Sequence, residues 1–512
     1  MRSILSLVCY DQQASRQVRQ RGCAAAIASI IEETSMKQHF INGTSLASAD
    51  GESMPVLAPA TGEIIESISC GKATDVDRAV AAARGAFDGP WGRLTATERG
   101  RLLTRLGVRI LEHLDELART EAADTGKPMT TARVDIETTA RYFEFYGTAA
   151  DKVHGEVIPF MAGYTVTVVH EPFGVTGHIL PWNYPAQMFG RSLAPSLAMG
   201  NAVVLKPAED GCLSALRIAE LATEIGFPDG TINIVTGRGS EAGAALAGHP
   251  GIGFLSFTGS PEIGRLVQQA AANNYVPCTL ELGGKSPQIV FEDADFDAAI
   301  PVVCKAIVQN TGQTCSAGSR VLVQESIYDR FISALAEKFT QLRAGTPEMD
   351  LDCGPVINAK QQQRVQRFID LARQDGIAVI AEGSIAAEAP KGGFYIKPTL
   401  FGPVPRANRL ACDEVFGPVL AALPFKDEAD AVALANGTDY GLLAGVWTRD
   451  GGRQQRMARK IRAGQVYING YGAGGGVELP FGGTGKSGHG REKGFLALHE
   501  FAATKTIVNR HG

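Results

Sequence analysis

Several function classes are excluded by what this sequence lacks. No stretch approaches the ~20 consecutive apolar residues of a bilayer-spanning helix, so no membrane span is expected. The formal net charge is −5 with both signs well mixed. There is no basic stripe to bind nucleic acid and no long like-charge run to act as an interaction tail. The nine cysteines are scattered and odd in number, with no C-x-x-C and no H-x-x-x-H. A disulfide framework and a structural zinc site are therefore not expected, no metal is expected, and a reducing cytoplasm is the natural setting. No internal repeat and no low-complexity linker is present.

A phosphate loop is missing too, although one stretch imitates it. Residues 480–490 read PFGGTGKSGHG, with a Gly-Lys-Ser triplet in a glycine-rich run. The pattern G-x-x-x-x-G-K-[ST] would need glycine where Pro480 stands. Ser487 is followed by Gly488, His489 and Gly490, which resist the helix that must receive a phosphate. A nucleoside-triphosphatase reading fails on both counts.

The chain has 512 residues, 45% of them hydrophobic, enough for two or three domains. Residues 1–35 carry four arginines and little pattern. They are read as a disordered tail or an over-called start rather than a transit peptide, because MKQHFINGT from Met36 reads as a natural beginning. From residue 74 helical and strand patterns alternate. TDVDRAVAAARGAF places Val76, Ala79, Val80, Ala83 and Phe87 on one helical face, with a capping box expected between Thr74 and Asp77. RLLTRLGVRILEHLDELA reads as a second amphipathic helix. YTVTVVH (164–170) alternates as a strand. AVVL (202–205), TINIV (231–235), GFLSF (253–257), PQIVF (287–291), SRVLV (319–323) and QVYIN (465–469) read as buried parallel strands. The segment CLSALRIAELATEIG reads as a helix closed by Gly226. This alternation predicts an α/β architecture with mostly parallel sheets.

Five short constellations carry candidate chemistry. In NTGQTCSAGSR, Cys315 sits among small polar residues, where a nucleophile has open approach, rather than inside an apolar run. In TLELGGKSP, Glu281 lies between two leucines and is either a paired structural charge or a general base raised by desolvation. In ILPWNYP, Asn183 between Trp182 and Tyr184 is either an oxyanion donor or a turn residue. In AVVLKPAED, Lys206 and Glu209 follow a buried strand, where an acid can accept both ribose hydroxyls; the plainer reading is a solvated ion pair. In SFTGSPEIGRLV, Gly259 and Ser260 open a helix suited to a pyrophosphate. The segment TGRGSEAG, with Gly237 and Gly239, reads as a plain turn.

Together these motifs resemble the aldehyde dehydrogenase superfamily, from about residue 37 to the end. The segments GQTCSAGSR, LELGGKSP, PWNYP, KPAE, FTGSPEIG, EVFGPV (414–419) and LPFGGTGKSGHGRE (479–492) stand in the family's order. The resemblance implies that Cys315 attacks the aldehyde carbon. Asn183 and the Cys315 backbone N–H would hold the oxyanion, hydride would pass to NAD, and Glu281 would activate water to hydrolyse the thioester. Chemistry agrees: hydride leaves an aldehyde carbon readily only once it is tetrahedral and anionic.

The resemblance further assigns Lys206 and Glu209 to the adenosine ribose and Gly259 and Ser260 to the pyrophosphate. Glu414 would take the nicotinamide ribose, with Phe416 and Trp182 near the cofactor. The charge of Glu209 would repel a 2′-phosphate, favouring NAD over NADP. Tyr184, Gln187, Met188 and Arg191 would face the aldehyde tunnel at helical spacing. Arg191 stands where many relatives with apolar substrates carry tryptophan, and where branches acting on succinate semialdehyde or lactaldehyde carry arginine. A polar, hydroxy or carboxylate-bearing aldehyde follows from it. The first of those branches has a two-arginine clamp, whose second position here is Gln309; alternatively, Arg191 pairs with a structural acid.

The implied domains are a Rossmann-like NAD-binding domain (36–152 and 174–283), a catalytic α/β domain (284–498) and a small β oligomerisation flap (153–173 and 499–512). The edge strand of the flap implies a homo-oligomer, dimer or tetramer. PFGG would pack beside the catalytic pocket, and residues 470–478 would border the tunnel mouth. Two readings compete. A CoA-acylating relative generally lacks the glutamate, and a catalytically retired relative would have lost Cys315, Asn183 or Glu281; all three residues are present.

Overall fold

The computed structural model describes residues 36–472 and 476–512. The expectations for residues 1–35, and part of that for 470–478, lie outside the described residues. Most of the apolar runs form strands with little or no solvent exposure, such as Ala202–Lys206 and Phe254–Thr258, but Gln465–Ile468, expected to be buried, is half-buried because it forms the edge of its sheet. Their backbones pair in parallel because the connections between them are helical crossovers. Five such strands form the centre of an eight-stranded sheet, in the spatial order Ile232–Ile234, Ala202–Lys206, Val175–Ile179, Phe254–Thr258, Cys278–Glu281. The antiparallel strand His39–Ile41 flanks one side of these five, and Gly488–His489 flanks the other. The last strand comes from a part of the chain more than 200 residues beyond Glu281 and binds the first sheet to the second half of the chain.

The second sheet has seven strands and is parallel except for its edge strand Val379–Glu382. It includes Pro287–Val290, Arg320–Gln324, Leu443–Trp447 and Gln465–Ile468. A third, antiparallel sheet joins Glu156–Ile158, Tyr164–Pro172 and Ala502–Arg510, with Tyr164 opposite Arg510. Among the described residues no helix is long and apolar enough to cross a membrane.

Three local expectations are corrected. The first long helix runs Ala73–Asp88 and is capped two residues earlier than expected, with Lys72 as N-cap and Asp75 closing the box onto its N–H at 3.0 Å. Asp75 is buried, so its carboxylate is held in place to cap, whereas Asp77 is exposed and pairs with His249. The expected second helix is two. Ala96–Glu112 begins at a Thr95/Glu98 capping box, worth about 1 kcal/mol. It ends at His113, and Leu114–Thr125 follows. Asp115 and Glu116 in that new first turn suit a helix amino terminus, so a fresh start there is favourable. Finally, the TGRGSEAG segment is not a plain turn: Gly239–Gly243 is a π-helical turn that leads into the helix Ala244–Ala247.

Candidate active site

In the first sheet the chain order reverses between Val175–Ile179 and Phe254–Thr258. Connections leave these two strands toward opposite faces, which opens a crevice outside their carboxyl ends. A cavity of about 870 Å³ lies there. Pro181, Trp182 and Asn183 line it after the first strand, and Thr258, Gly259 and Ser260 after the second. The same cavity is walled by Glu281, Cys315, Glu414 and Phe416. Three segments far apart in sequence thus bring the expected nucleophile, base and oxyanion donor to one space.

Cys315 reaches it through an unusual turn. After the helix Phe296–Val308, Asn310, Thr311 and Gly312 all take positive φ (49°, 58° and 73°). Such a conformation is costly for a β-branched threonine unless its surroundings hold it. Thr311 Oγ1 donates to Gly354 O at 3.0 Å, and Asn310 Nδ2 donates to Asn183 O at 2.8 Å. A Cβ on Gly312 would lie 2.1 Å from Gly417 O, so only glycine fits. The Asn183 side chain donates to Gln313 O at 2.9 Å, so the asparagine and cysteine loops are bonded in both directions. Burial pushes the Cys315 thiol up to about 12, against the pull of the Arg191 guanidinium.

Glu281 ends the strand Cys278–Glu281 and is 1% exposed. Burial raises its carboxyl well above the ordinary range, while Arg191 pulls it back. Neither carboxylate oxygen has a hydrogen-bond partner among the described residues. The 480–490 stretch forms the wall behind it. Gly488 pairs with Glu281 in the sheet, and a Cβ on Gly482 would stand 2.7 Å from Glu281 Oε1. Ser487 Oγ donates to Gly283 O at 2.7 Å, and Lys486, at the cavity edge, pairs with Asp439 at 2.7 Å. The phosphate-loop imitation is therefore structural packing beside a carboxylate.

The cavity fits a dinucleotide. Gly284 N–H donates to Glu414 Oε1 at 2.8 Å, and any side chain at Gly283 would collide with Glu414. Burial pushes the Glu414 carboxyl up to about 7, against the Gly284 N–H. Trp182 and Phe416 meet edge to face at 5.5 Å. Ser260 caps the helix Pro261–Ala272, and Gly264 packs under Leu282. Thr258 Oγ1, buried in the cavity wall, has no partner among the described residues. Lys206 and Glu209 lie outside this lining, at the carboxyl end of the next strand, and pair at 2.8 Å. Burial works against the Glu209 carboxylate, but Lys206 outweighs it and holds it below the ordinary range. The Gly239 N–H also bonds Glu209, so the π-helical turn belongs to this corner.

The tentative substrate residues do not line this cavity. Tyr184 OH meets Thr314 Oγ1 at 2.8 Å and accepts from Gln309 Nε2 at 3.2 Å. Gln187 donates to Asp135 at 3.3 Å, and Met188 is packed into the core under the first sheet. Arg191 is 4% exposed and pairs with Glu492, so the structural-acid reading describes its contacts.

Other residues of the site were not singled out by sequence. Gln361 Nε2 donates to Phe416 O and Arg364 Nη2 to Glu414 O, both at 2.7 Å, from a helix whose KQQQR run reads as a solvated face. Lys127 bonds Glu121, Asp135 and Asn183 O at 2.9, 2.6 and 3.2 Å, and lies 4.8 Å from the Tyr184 ring centre. The cost of burying its ammonium is offset by these partners, and the asparagine loop is fixed as a result. Glu492 stands in a recognisable motif, but no local pattern says what it meets.

The profile of the aldehyde dehydrogenase family matches residues 46–507. Human mitochondrial aldehyde dehydrogenase is 41% identical over 481 residues, covering 93% of this chain and 92% of the relative. A crystal structure from Burkholderia cenocepacia, assigned as an aldehyde dehydrogenase, is 63% identical, with a TM-score of 0.92, 93% of this chain covered and 100% of that one. PnpE from Pseudomonas sp. WBC-3, solved in complex with nicotinamide adenine dinucleotide, is 41% identical, with a TM-score of 0.91 and coverage of 93% and 98%. The chain belongs to the aldehyde dehydrogenase family and has its mixed α/β fold. It is an NAD(P)-dependent aldehyde dehydrogenase.

Proposed function

We propose that this enzyme converts aldehydes to free carboxylic acids through an acyl intermediate on Cys315, hydrolysed by water that Glu281 activates. The observation that carries this reading is the meeting of Cys315, Asn183 and Glu281 on the walls of the switch-point cavity. Cys315 attacks the carbonyl as a thiolate. Asn183 and the Cys315 N–H donate to the oxyanion that forms, which favours the tetrahedral state over the trigonal one. NAD, when bound, accepts the hydride. Glu281 then takes a proton from water as that water attacks the thioester. Glu414, Gly259, Ser260 and Trp182 would hold the cofactor along the cavity, with Gln361 and Arg364 fixing the segment that carries Glu414 and Phe416. The raised Glu281, whose carboxylate oxygens hold no hydrogen bond among the described residues, favours transfer to water over transfer to CoA. Aldehyde and NAD should yield NADH and free acid in equal amounts, with or without CoA; an acyl-CoA product would refute the reading.

NAD is preferred over NADP in this proposal, because Glu209 keeps its charge beside Lys206 at the end of the second parallel strand. Replacing Glu209 with serine should narrow the NAD/NADP ratio of kcat/KM by at least about tenfold, since a 2′-phosphate no longer meets a carboxylate. An unchanged ratio would remove Glu209 from that role.

For the substrate, a polar aldehyde fits better than an anionic one. Arg191 is engaged by two carboxylates, so its charge is not free for an anionic aldehyde, while the Tyr184 hydroxyl and Gln309 form a hydrogen-bonded pair of their own. We also propose that the third sheet joins subunits. Val157 is 76% exposed, and Ile507 and Val508 are exposed along Ala502–Arg510, an outer strand nine residues long. Such an edge invites pairing unless another chain covers it. Light scattering should give the mass of a dimer or tetramer; a monomer at micromolar concentration would count against it.

A further inference from the structure

Glu281 and Glu492 face one guanidinium inside the protein. Arg191 Nε lies 2.5 Å from Glu492 Oε2, in ion contact rather than along a well-aligned hydrogen bond. Arg191 Nη2 lies 3.7 Å from Glu281 Oε2. The side chains of all three are at most 5% exposed. The guanidinium also stacks over the Phe481 ring at 4.3 Å, in the apolar cluster that includes Cys315. Glu492 is anchored from behind: Ser256 Oγ donates to its Oε1 at 3.1 Å, and Ser192 Oγ donates to Ser256 at 3.1 Å. Ser192 in turn meets His178 Nδ1 at 2.7 Å. The nearer carboxylate therefore sits on a fixed polar chain, while Glu281 holds only the longer contact.

We infer that Arg191, anchored by Glu492, is a positioning residue for Glu281 in the hydrolytic step, and not a substrate clamp. The inference rests on Glu281 being the base. A buried carboxylate without a countercharge stays protonated and cannot take a proton from water. A carboxylate fully paired with arginine is ionised but a weak base. Sharing the guanidinium between two carboxylates sets Glu281 between these limits and leaves its oxygens for water. The charged groups that face Glu281 are Arg191 on the helix Pro185–Ala198, Arg491 and Glu492 after the strand Gly488–His489, and Glu500 on the helix Leu496–Glu500. The Cys315 thiol faces it across the site. Arg191 and Arg491 favour its ionised form, and Glu492 and Glu500 oppose it.

The two substitutions should therefore act with opposite signs. Arg191→Met removes a cation, so the ascending limb of the deacylation rate against pH should move up. Glu492→Gln removes a competing anion, so that limb should move down. The experiment loads the acyl-enzyme in a single turnover with a neutral and a carboxylate-bearing aldehyde, then follows acid release against pH. Arg191→Met should still release one NADH per active site in the burst, slow deacylation at pH 7 by about tenfold and shift the limb up by about one unit. Arg191→Lys should recover most of the loss, because a cation returns. Limbs that stay in place, or that move the same way in both variants, would overturn the inference. So would a selective rise in KM for the carboxylate-bearing aldehyde in Arg191→Met or Arg191→Lys, which marks a substrate clamp. If instead the wild type forms no acyl-enzyme, it is the proposed function that fails.

Discussion

Cys315→Ala abolishes NADH formation, by at least about four orders of magnitude in kcat, while NAD still binds within about twofold of wild type. The size follows from the chemistry. A trigonal aldehyde carbon holds its hydrogen firmly, and only the anionic tetrahedral adduct expels it as hydride. Without the sulfur no adduct forms, and Asn183 has no oxyanion to stabilise. NAD binding is spared because the groups proposed to hold it, among them Glu414, Gly259 and Trp182, come from other segments. The turn at Asn310, Thr311 and Gly312 is held by its own bonds to Asn183, Gly354 and Gln313, so loss of one sulfur leaves it standing. Absorbance at the NADH band and a calorimetric NAD titration measure the two halves. Turnover above one part in about a thousand would sink the role of Cys315.

Glu281→Gln separates the two half-reactions. One NADH per active site should appear at an undiminished rate, and steady turnover should then fall by about 10²–10⁴-fold as the thioester accumulates. Glutamine keeps the shape of a side chain packed against Gly482 but cannot take a proton. The pH dependence carries a sign. Burial lifts the Glu281 carboxyl well above the usual carboxylate range, so it is protonated at low pH and becomes a base only as pH rises through that elevated value. Deacylation in the wild type should climb with pH on one ascending limb, and Glu281→Gln should lose that limb. Rapid-quench measurement of acyl-enzyme against pH checks both. A variant turning over at the wild-type rate would leave the glutamate with a structural role alone.

Much of the fold was legible because its strands are short, apolar and buried on both faces. Runs such as AVVL and SRVLV have few other ways to satisfy both their side chains and their backbones. The candidate site was legible for a different reason. Cys315, Glu281 and Asn183 each sit in a local setting that admits chemistry and a structural role alike, and the run of seven motifs in the family's order chose between them. Less legible were features whose cause lies elsewhere in the chain. The break at His113 falls inside a continuous amphipathic pattern, so periodicity alone carries through it. Lys127 looks like any lysine before a proline until Glu121, Asp135 and Asn183 close around it. The PFGGTGKSGHG stretch looks like a nucleotide loop until its backbone is seen pairing with the strand of Glu281.

Arg191 marks the boundary most sharply. Helical spacing puts it on one face with Tyr184, Gln187 and Met188, and spacing is a property of the sequence. What that face meets is not. Its neighbour Glu492 lies 301 residues later and is delivered by the eighth strand of the first sheet, while Met188 turns into the core and Gln187 toward Asp135. The sequence by itself determined the alternation of strands and helices and the reactive side chains, because these depend on local period and residue chemistry. Only the tertiary structure decided which charges share a cavity, because a buried ion's behaviour depends on every group within a few ångströms, and chain distance places no limit on those.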